Sequence, residues 1–338
     1  MPQPTRMGQS VQSLLRDSHG REITYLRLAI TDRCNMRCIY CMPESGIQPL
    51  SDNDILSHQE LLRITAIFAQ LGITKVRITG GEPFVRKDAI RLLQDLRDLP
   101  YPLKLCITTN GTVANKYFSE LESLKLDGIN LSLDTLRSDR FYRITHRNNF
   151  NQTERFLKRA FQSAVSLKIN SVVQSGINED EVVSIAELAR THPVEVRFIE
   201  QMPFRGSENK VRRFYTAKMI ENLLISHFPL LKAQAPNNST VQLFYVKGFM
   251  GRLGIIAGNS RLFCSSCNRI RVTAQGNIKT CLYGKPTLNL KFLIQNGYTD
   301  EQIKSDIIKI VNNRYKDGFS AEQEADQKFY DSMAVIGG

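Results

Sequence analysis

The segment Thr31–Met42 reads Thr-Asp-Arg-Cys-Asn-Met-Arg-Cys-Ile-Tyr-Cys-Met, and the fold class of the whole chain follows from it. Cys34, Cys38 and Cys41 stand at a C-x3-C-x2-C spacing, with the aromatic Tyr40 just before the third cysteine. Three thiolates this close together favour a soft metal or an iron–sulfur cluster, and a four-iron cluster held by three cysteines keeps one iron open. A zinc site or a group of core cysteines is the alternative, but zinc needs a fourth ligand and the segment contains no histidine.

Length and composition are those of an ordinary globular protein, with 338 residues of which 42% are hydrophobic and 23% charged. This length accommodates one large α/β domain or two ordinary ones. Apolar runs are too short for a transmembrane span, and residues 1–16 lack the apolar core of a secretory signal, so we expect no membrane association. Seven cysteines, an odd number, argue against a disulfide framework and favour a reducing, cytoplasmic setting.

The net charge of +12 is compatible with nucleic acid, a membrane surface or a small anionic substrate as partner. The basic residues are dispersed, and the chain has no tryptophan and no basic-aromatic run of the kind that binds nucleic acid. We therefore expect no nucleic-acid partner and favour a polyphosphate ligand. A solvated surface rich in lysine and arginine would give the same charge.

Six strand–helix repeats are predicted between residues 21 and 205. The predicted strands are Tyr25–Thr31, Lys75–Thr79, Leu103–Ile107, Ile129–Leu133, Ile169–Gln174 and Val194–Glu200. The predicted helices are Ser57–Gln70 with a Ser57/Glu60 capping box, Asp88–Leu99, a helix ending near Leu126, Thr153–Leu167 and Asp180–Arg190. Such alternation predicts a parallel sheet with right-handed crossovers, and six units, where a closed barrel has eight, predict an open, partial β/α barrel.

Unusual polar motifs follow several of these strands. They are Gly80-Gly81-Glu82-Pro83, Thr108-Thr109-Asn110-Gly111, Ser132 with Asp134, and Gln201-Met202-Pro203. The carboxyl ends of parallel strands form the mouth where α/β barrels assemble their sites, so we expect these motifs to surround one site. The glycines allow backbone to approach a ligand closely, which suits the amino and carboxylate ends of a methionine.

The pattern changes after residue 205, and we predict a smaller C-terminal α+β module at residues 206–338 that covers the open side of the barrel. Residues 1–20 are polar and without a clear period, so we predict a flexible N-terminus. The module is predicted to contain a helix at Thr216–Phe228, strands at Val241–Val246 and Leu253–Ile256, and a hairpin of Arg269–Thr273 with Ile278–Cys281.

A second set of three cysteines, Cys264, Cys267 and Cys281, lies in this module, with the third across the hairpin from the first two. We favour a second cluster with an open iron, while zinc with a fourth ligand from elsewhere is the alternative. Arg269 and Arg271 lie two residues apart, hence on one face of a strand, and arginine forks suit carboxylates, phosphates and base edges.

Taken together, these motifs resemble the MoaA family, the GTP 3′,8-cyclases of molybdenum cofactor biosynthesis within the radical S-adenosylmethionine (SAM) superfamily. The resemblance covers nearly the whole chain. It is carried by Gly20-Arg21, Leu26–Leu28, Thr31–Met42, Arg77–Pro83, Thr108–Gly111, Asn130–Asp134, Arg197–Glu200, Cys264–Arg271 and Ile336–Gly338, whereas Arg314–Tyr330 matches only loosely.

The resemblance implies two 4Fe-4S clusters and SAM as cofactors. The first cluster, on Cys34, Cys38 and Cys41, would cleave SAM to a 5′-deoxyadenosyl radical, and the second, on Cys264, Cys267 and Cys281, would hold guanine. Positions that match the family's SAM contacts are Tyr40, Gly81, Ser132 and Met202. Positions that match its GTP contacts are Arg27, Lys75, Arg77, Thr108, Lys168, Arg197, Arg269, Ile270 and Arg271.

The implied reaction is abstraction of hydrogen from ribose carbon 3′ of GTP, followed by attack on carbon 8 of guanine, with Arg269, Arg271, Gly337 and Gly338 taking part beside the first cluster's cysteines. Implied partners are GTP, the next pathway enzyme, cyclic pyranopterin monophosphate synthase, and a reductant such as flavodoxin or ferredoxin. A homodimer is also possible on the family pattern. The nearest rival is another radical SAM enzyme with an auxiliary cluster, for example one that modifies a peptide.

Overall fold

The computed structural model describes residues 15–202, 214–233, 239–325 and 332–337. Its strands are β1 Tyr25–Ala29, β2 Lys75–Thr79, β3 Lys104–Thr109, β4 Gly128–Ser132, β5 Leu167–Val173, β6 Glu195–Glu200, β7 Leu230–Lys232, β8 Gln242–Val246, β9 Arg252–Ile256, β10 Arg269–Val272, β11 Asn277–Lys279 and β12 Leu288–Asn289. Its helices are α1 His58–Gln70, α2 Ala89–Arg97, α3 Phe118–Ser123, α4 Ser138–Thr145, α5 Phe150–Phe161, α6 Val182–Ala186, α7 Leu188–Thr191, α8 Ala217–His227, α9 Leu290–Gln295, α10 Asp300–Asn312, α11 Gly318–Glu324 and α12 Met333–Ile336.

The strands form one sheet in the order β12-β11-β10-β1-β2-β3-β4-β5-β6-β9-β8-β7. The six predicted strands β1 to β6 pair in parallel and in sequence order, each within two residues of its predicted bounds. Among the described residues, β7 and β12 pair on one side only, so the barrel is open. The predicted α/β class and partial barrel are therefore confirmed.

Two further parallel strands come from the C-terminal part of the chain. β10 pairs in parallel with β1, and β9 pairs in parallel with β6. The parallel part of the sheet thus has eight strands, and the C-terminal strands extend both of its edges. Sequence pattern alone could not predict these pairings, because tertiary packing decides them, and the pairing of β10 with β1 joins segments more than 200 residues apart along the chain.

Helices were predicted less accurately than strands. The capping box of α1 is present, since the Ser57 hydroxyl accepts from the Glu60 amide and Glu60 accepts from the Ser57 amide. The helix predicted at Thr153–Leu167 is wrong at its end: α5 stops at Phe161, and Leu167 begins β5, where alternate residues are buried. The helix predicted at Asp180–Arg190 is divided into the short helices α6 and α7.

The start of the chain also differs from its prediction. Residues 15–20, expected to be flexible, are partly packed: Leu15 and Asp17 are buried and Arg16 forms an isolated β-bridge with Glu22, while residues 18–20 are exposed. Residues 1–14 lie outside the described part of the chain. None of the helices in the described ranges combines the length and apolar character that a membrane crossing requires.

Candidate active site

The first cysteine loop leaves β1 and packs directly on the Gly80-Gly81-Glu82 turn that follows β2. The Gly81 amide donates to the Thr31 carbonyl at 2.9 Å, and the Glu82 amide donates to the Arg33 carbonyl at 2.9 Å. A Cβ atom on Gly81 would lie 2.3 Å from the Arg33 carbonyl oxygen. The glycine is therefore required for contact between the two loops, and this contact fixes the backbone immediately before Cys34.

Cys34, Cys38 and Cys41 line one cavity at the mouth of the barrel, and none of them forms a disulfide. Burial raises the pKa of the Cys34 thiol to about 12 and that of Cys41 to about 11, and it raises the pKa of Cys38 well above its ordinary value. Metal ligation requires thiolates, and a positively charged iron is the group that would stabilise three buried thiolates in this cavity.

Two buried carboxylates stand beside these cysteines. Glu82 accepts from the Thr109 hydroxyl and the Asn110 amide, both at 2.7 Å, and burial raises its pKa to about 7. Asp134 accepts from the Tyr40 hydroxyl at 2.8 Å, and burial raises its pKa to about 6. Sequence reasoning quoted both residues within motifs but assigned neither a role; their position directly after a strand was the available signal.

Tyr40, Gly81, Ser132 and Met202, predicted to contact SAM, all line this first cavity. Thr108, predicted on the substrate side, lines it as well. The structure thus brings together five motifs that are separated by up to 168 residues in sequence, counting from Cys34 to Met202.

The second cysteine set lines a neighbouring cavity between β1, β10 and the C-terminal segment. Cys264, Cys267 and Cys281 all face it, as do Arg269 and Arg271. Burial raises the pKa values of Cys264 and Cys281. Burial also acts to raise the pKa of Cys267, but the charges of Arg269 and then Arg314 outweigh it and lower that pKa.

Two buried arginines that sequence reasoning did not assign hold the second cysteine set in place. Arg314 donates to the Thr280 carbonyl at 3.0 Å and to the Cys267 carbonyl at 3.2 Å, and it approaches the Cys267 sulfur at 3.8 Å. Arg21 donates to the Cys264 carbonyl at 2.9 Å. Asp17 pairs with Arg21 at 2.6 Å and with Arg314 at 3.5 Å, so one carboxylate joins both arginines.

Each cysteine set meets the requirement of a four-iron cluster. A four-iron cluster distributes three thiolates over three irons, so it needs three thiols that face one cavity, and each set provides them. The donor chemistry of both sites therefore fits an iron–sulfur cluster.

The two cavities share a wall, because both are lined by Arg27, Asn170, Ile199, Met202 and Met333. A substrate can therefore lie between the two cysteine sets. Several buried polar atoms on these walls have no hydrogen-bond partner within the described part of the chain: Thr108 Oγ1, Asn130 Oδ1, Asn170 Oδ1 and Arg269 Nε. A buried polar group without a partner is costly, and a polar ligand at this wall would satisfy these atoms.

The predicted GTP-side cations fall into two groups on the barrel interior. Arg27, Lys75, Arg77, Arg269 and Arg271 lie on the adjacent strands β1, β2 and β10. Lys168 and Arg197 lie on the other side, on β5 and β6, where both pair with the buried carboxylate of Glu195. Burial lowers the pKa of Lys168 to about 8, which Glu195 only partly opposes.

Ile270, also predicted on the substrate side, is different from its neighbours. Its side chain is fully buried in the hydrophobic core, on the face of β10 opposite Arg269 and Arg271. Because a strand turns alternate residues to opposite faces, the Ile270 side chain does not face the second cavity, and a substrate-side role for this position stays a prediction.

The C-terminal segment reaches the first cavity. Arg271 Nη1 donates to the Gly337 carbonyl at 3.0 Å, and the Ser332 hydroxyl donates to the Cys41 carbonyl at 2.8 Å. Gly337 has φ 83°, and a Cβ there would lie 2.7 Å from Thr79 Oγ1, so only glycine fits this position. Gly338 lies outside the described residues.

Comparison with known proteins gives two family matches. The Radical SAM superfamily model matches residues 28–189, and the Molybdenum Cofactor Synthesis C model matches residues 194–319. A solved structure, Streptococcus suis SuiB bound to S-adenosylmethionine, has a TM-score of 0.58 and 15% identity, covering 85% of this chain and 68% of SuiB. At that identity the likeness shows the fold alone. The fold, the cysteine loop and the family match define this chain as a radical SAM protein.

Relatives narrow this assignment. A GTP 3′,8-cyclase of Syntrophomonas wolfei is 40% identical over 291 residues, which cover 85% of this chain and 89% of that protein. Drosophila melanogaster molybdenum cofactor biosynthesis protein 1 is 38% identical over 316 residues, covering 93% of this chain and 56% of the relative. The chain belongs to the GTP 3′,8-cyclase family of molybdenum cofactor biosynthesis, the MoaA family.

Family membership assigns SAM and iron–sulfur clusters as its cofactors. The chain spans about half the length of the curated relatives that it matches first.

Proposed function

We propose that this chain is a lyase that cyclises GTP by joining ribose carbon 3′ to carbon 8 of guanine, the first step of molybdenum cofactor biosynthesis. The observation that carries the proposal is the shared wall between two cavities, each lined by three cysteines, with Arg27 on both cavities and Arg197, Arg269 and Arg271 on the second. A nucleoside triphosphate needs both an anion site and a site for its base, and the second cavity offers the two together.

In the first cavity, Cys34, Cys38 and Cys41 would hold one cluster, with SAM beside it. When bound, this cluster and SAM supply a carbon radical that removes a hydrogen atom from the substrate. The Gly81 turn would support the methionine end of SAM, and Tyr40, Ser132 and Met202 would complete its binding site. The buried walls exclude water, which protects a reactive radical from side reactions.

In the second cavity, Cys264, Cys267 and Cys281 would hold the second cluster and guanine would bind at its open iron. Arg269 and Arg271 would orient the nucleotide from the adjoining strand. The remaining cations would bind phosphate oxygens or fix the position of the ribose: Arg27, Lys75, Arg77, Lys168 and Arg197. Thr108 would donate or accept a hydrogen bond at the wall between the cavities.

Gly337 and Gly338 would act at the mouth, where Gly337 already accepts a hydrogen bond from Arg271. Through this hydrogen bond the tail would help to hold the Arg271 side chain in position beside the substrate. The barrel at residues 21–205 and the C-terminal module at residues 206–338 would each contribute one cysteine set, with the ligand between them.

The proposed partners follow from the pathway. The product would pass to cyclic pyranopterin monophosphate synthase, and electrons would come from a reductant protein such as flavodoxin or ferredoxin. The reaction requires reducing conditions, so we place the chain in the cytoplasm, with a homodimer as its proposed assembly.

The test is anaerobic SAM cleavage by the reconstituted protein with and without GTP. We expect about eight irons per chain, and about four after Cys34, Cys38 and Cys41 are replaced by alanine, with loss of SAM cleavage. Cyclised nucleotide should form only with GTP present. A zinc-rich, sulfide-free protein would contradict the cluster assignment, and SAM cleavage that yields no GTP-derived product would point to the peptide-modifying alternative.

A further inference from the structure

Six inward-facing side chains form a grid on the three adjacent strands β2, β1 and β10. Strand pairing places them at two levels, three side by side in each. One level holds Lys75, Tyr25 and Arg269, and the next holds Arg77, Arg27 and Arg271. Five of the six are cations, and Tyr25 is the sixth.

Tyr25 contacts the cations around it directly. Its side chain is buried, and its hydroxyl accepts a hydrogen bond from Arg77 Nε at 2.6 Å. The Lys75 ammonium lies 4.7 Å from the centre of the Tyr25 ring, and the Arg269 guanidinium lies 5.4 Å from it. The phenol therefore contacts three of the five cations, and it lines the second cavity with Arg269.

Charge explains why an acidic group occupies this position. Buried cations are costly unless a counter-charge lies nearby, and Tyr25 is the only acidic side chain within the grid. Burial alone would raise the pKa of the Tyr25 phenol. The charges of Arg77, then Arg27, Arg269 and Lys75, outweigh burial and lower that pKa to about 7. Arg271, on β10, adds a further positive charge to the same wall.

We propose that Tyr25 is an exchangeable counter-group for the polyphosphate site: its phenolate oxygen pairs with the cations in the empty site and takes up one proton when a triphosphate enters. The step forms one O–H bond with a proton from solvent and breaks none in the nucleotide. Because the phosphates bring the negative charge that the phenolate had supplied, the cations no longer favour the ionised phenol. This inference rests on the proposed function and makes Tyr25 a positioning residue of that site.

The first test uses the ligand-free holoprotein and does not depend on GTP. We expect one tyrosine to ionise near neutral pH, seen as the ultraviolet difference signal of tyrosinate, and we expect Tyr25→Phe to abolish that signal. Tyr101→Phe is the matched control, because the Tyr101 hydroxyl bonds only the Gln70 amide in the described structure, and it should keep the signal. Identical titrations for wild type and Tyr25→Phe would overturn the proposal.

The second test measures proton uptake by calorimetry of GTP and of inorganic tripolyphosphate in buffers of different ionisation enthalpy. Wild type at about pH 8 should take up close to one proton per ligand, since the free phenol is mostly ionised there, and Tyr25→Phe should take up none. Wild-type affinity should fall by up to about tenfold per pH unit above pH 7, while the affinity of the variant stays level. Equal proton uptake by both proteins would contradict the exchange.

The outcomes separate this inference from the proposed function. GTP binding without Tyr25-dependent proton uptake would overturn the exchange and leave the GTP function standing. If Tyr25 ionises near neutral pH but the protein binds neither GTP nor tripolyphosphate, the proposed GTP function is overturned. The proposed proton uptake on nucleotide binding then falls with it. Should Tyr25→Phe not fold, Lys75→Gln provides the second variant: removal of this cation should move the phenol titration to higher pH, and an unchanged titration would refute the proposal.

Discussion

Replacing Gly81 by alanine should disable the first cysteine site while leaving the second intact. The added Cβ would lie 2.3 Å from the Arg33 carbonyl oxygen, 2.6 Å from its carbonyl carbon and 2.9 Å from the Asp32 carbonyl oxygen. All three are backbone atoms, so no flexible side chain can move aside. Real Cβ contacts essentially never fall below 3.0 Å, so the loop must retreat by about 0.7 Å or more.

The size of the effect follows from that displacement. Arg33 directly precedes Cys34, so the retreat moves the first ligand of the cluster and strains the two backbone hydrogen bonds that join the loops. Overpacking of this kind costs about 1–3 kcal/mol. A displacement approaching 1 Å at a reacting centre costs about 100-fold in rate, so we expect SAM cleavage to fall by about that factor.

The assay is 5′-deoxyadenosine formation under reducing, anaerobic conditions, with iron and sulfide analysis and the spectrum of each reduced cluster. The matched control is Gly128→Ala, a glycine in the same barrel whose added Cβ would meet its nearest atoms at an ordinary 3.7 Å. The control should keep both clusters and near wild-type rates. Wild-type SAM cleavage in Gly81→Ala would show that the loop contact does not position Cys34.

Three further predictions follow from named contacts. Arg271→Ala should keep SAM cleavage and both cluster signals but lose at least about tenfold in cyclised product, measured by chromatography, because a charge-assisted hydrogen bond contributes about 1.5–3 kcal/mol; product at the wild-type rate would refute its role. Arg314→Ala should release the second cluster faster under a chelator while the first persists, since Arg314 bonds the Thr280 and Cys267 carbonyls; equal release rates in variant and wild type would contradict this. Burial raises the pKa of Glu82 in the folded protein to about 7, so folding is favoured while this carboxyl is protonated. Protonation adds about 3 kcal/mol to the free energy of unfolding. This contribution is complete below about pH 4.5 and is lost as pH rises through 7. Thermal unfolding of SAM-free Glu82→Gln should lack this pH dependence, and a slope like that of wild type would count against it.

The local parts of the fold could be predicted from sequence because they depend on near neighbours. β2 was predicted at its observed bounds, since Val76 and Ile78 are apolar core residues in a short segment between turn signals. The start of α1 was predicted from Ser57 and Glu60, whose capping contacts involve residues three apart. α5 was extended too far because the apolar spacing around Leu167 suits either a helix or a strand, and pairing with β4 decides the matter.

The sequence predicts which types of residue form the candidate site, but it does not predict most of the hydrogen bonds and ion pairs among them. Cysteine spacing and strand order predicted two cysteine sets and a site at the mouth of the barrel, whereas the wall that the two cavities share is seen only in the folded structure. The roles of Arg21 and Arg314 could not be predicted, because each bonds backbone carbonyls of segments distant in sequence. The counter-charges of the buried cations could not be predicted either, because strand pairing creates them. Glu195 comes to lie beside Lys168, and Tyr25 between Lys75 and Arg269, only when the sheet forms.

The most direct test of the central claim is anaerobic turnover with GTP deuterated at ribose carbon 3′. If this chain places that carbon beside the SAM site, 5′-deoxyadenosine should form in proportion to cyclised nucleotide and should carry the deuterium. Formation of 5′-deoxyadenosine at the same rate with and without GTP, and free of deuterium, would contradict the account.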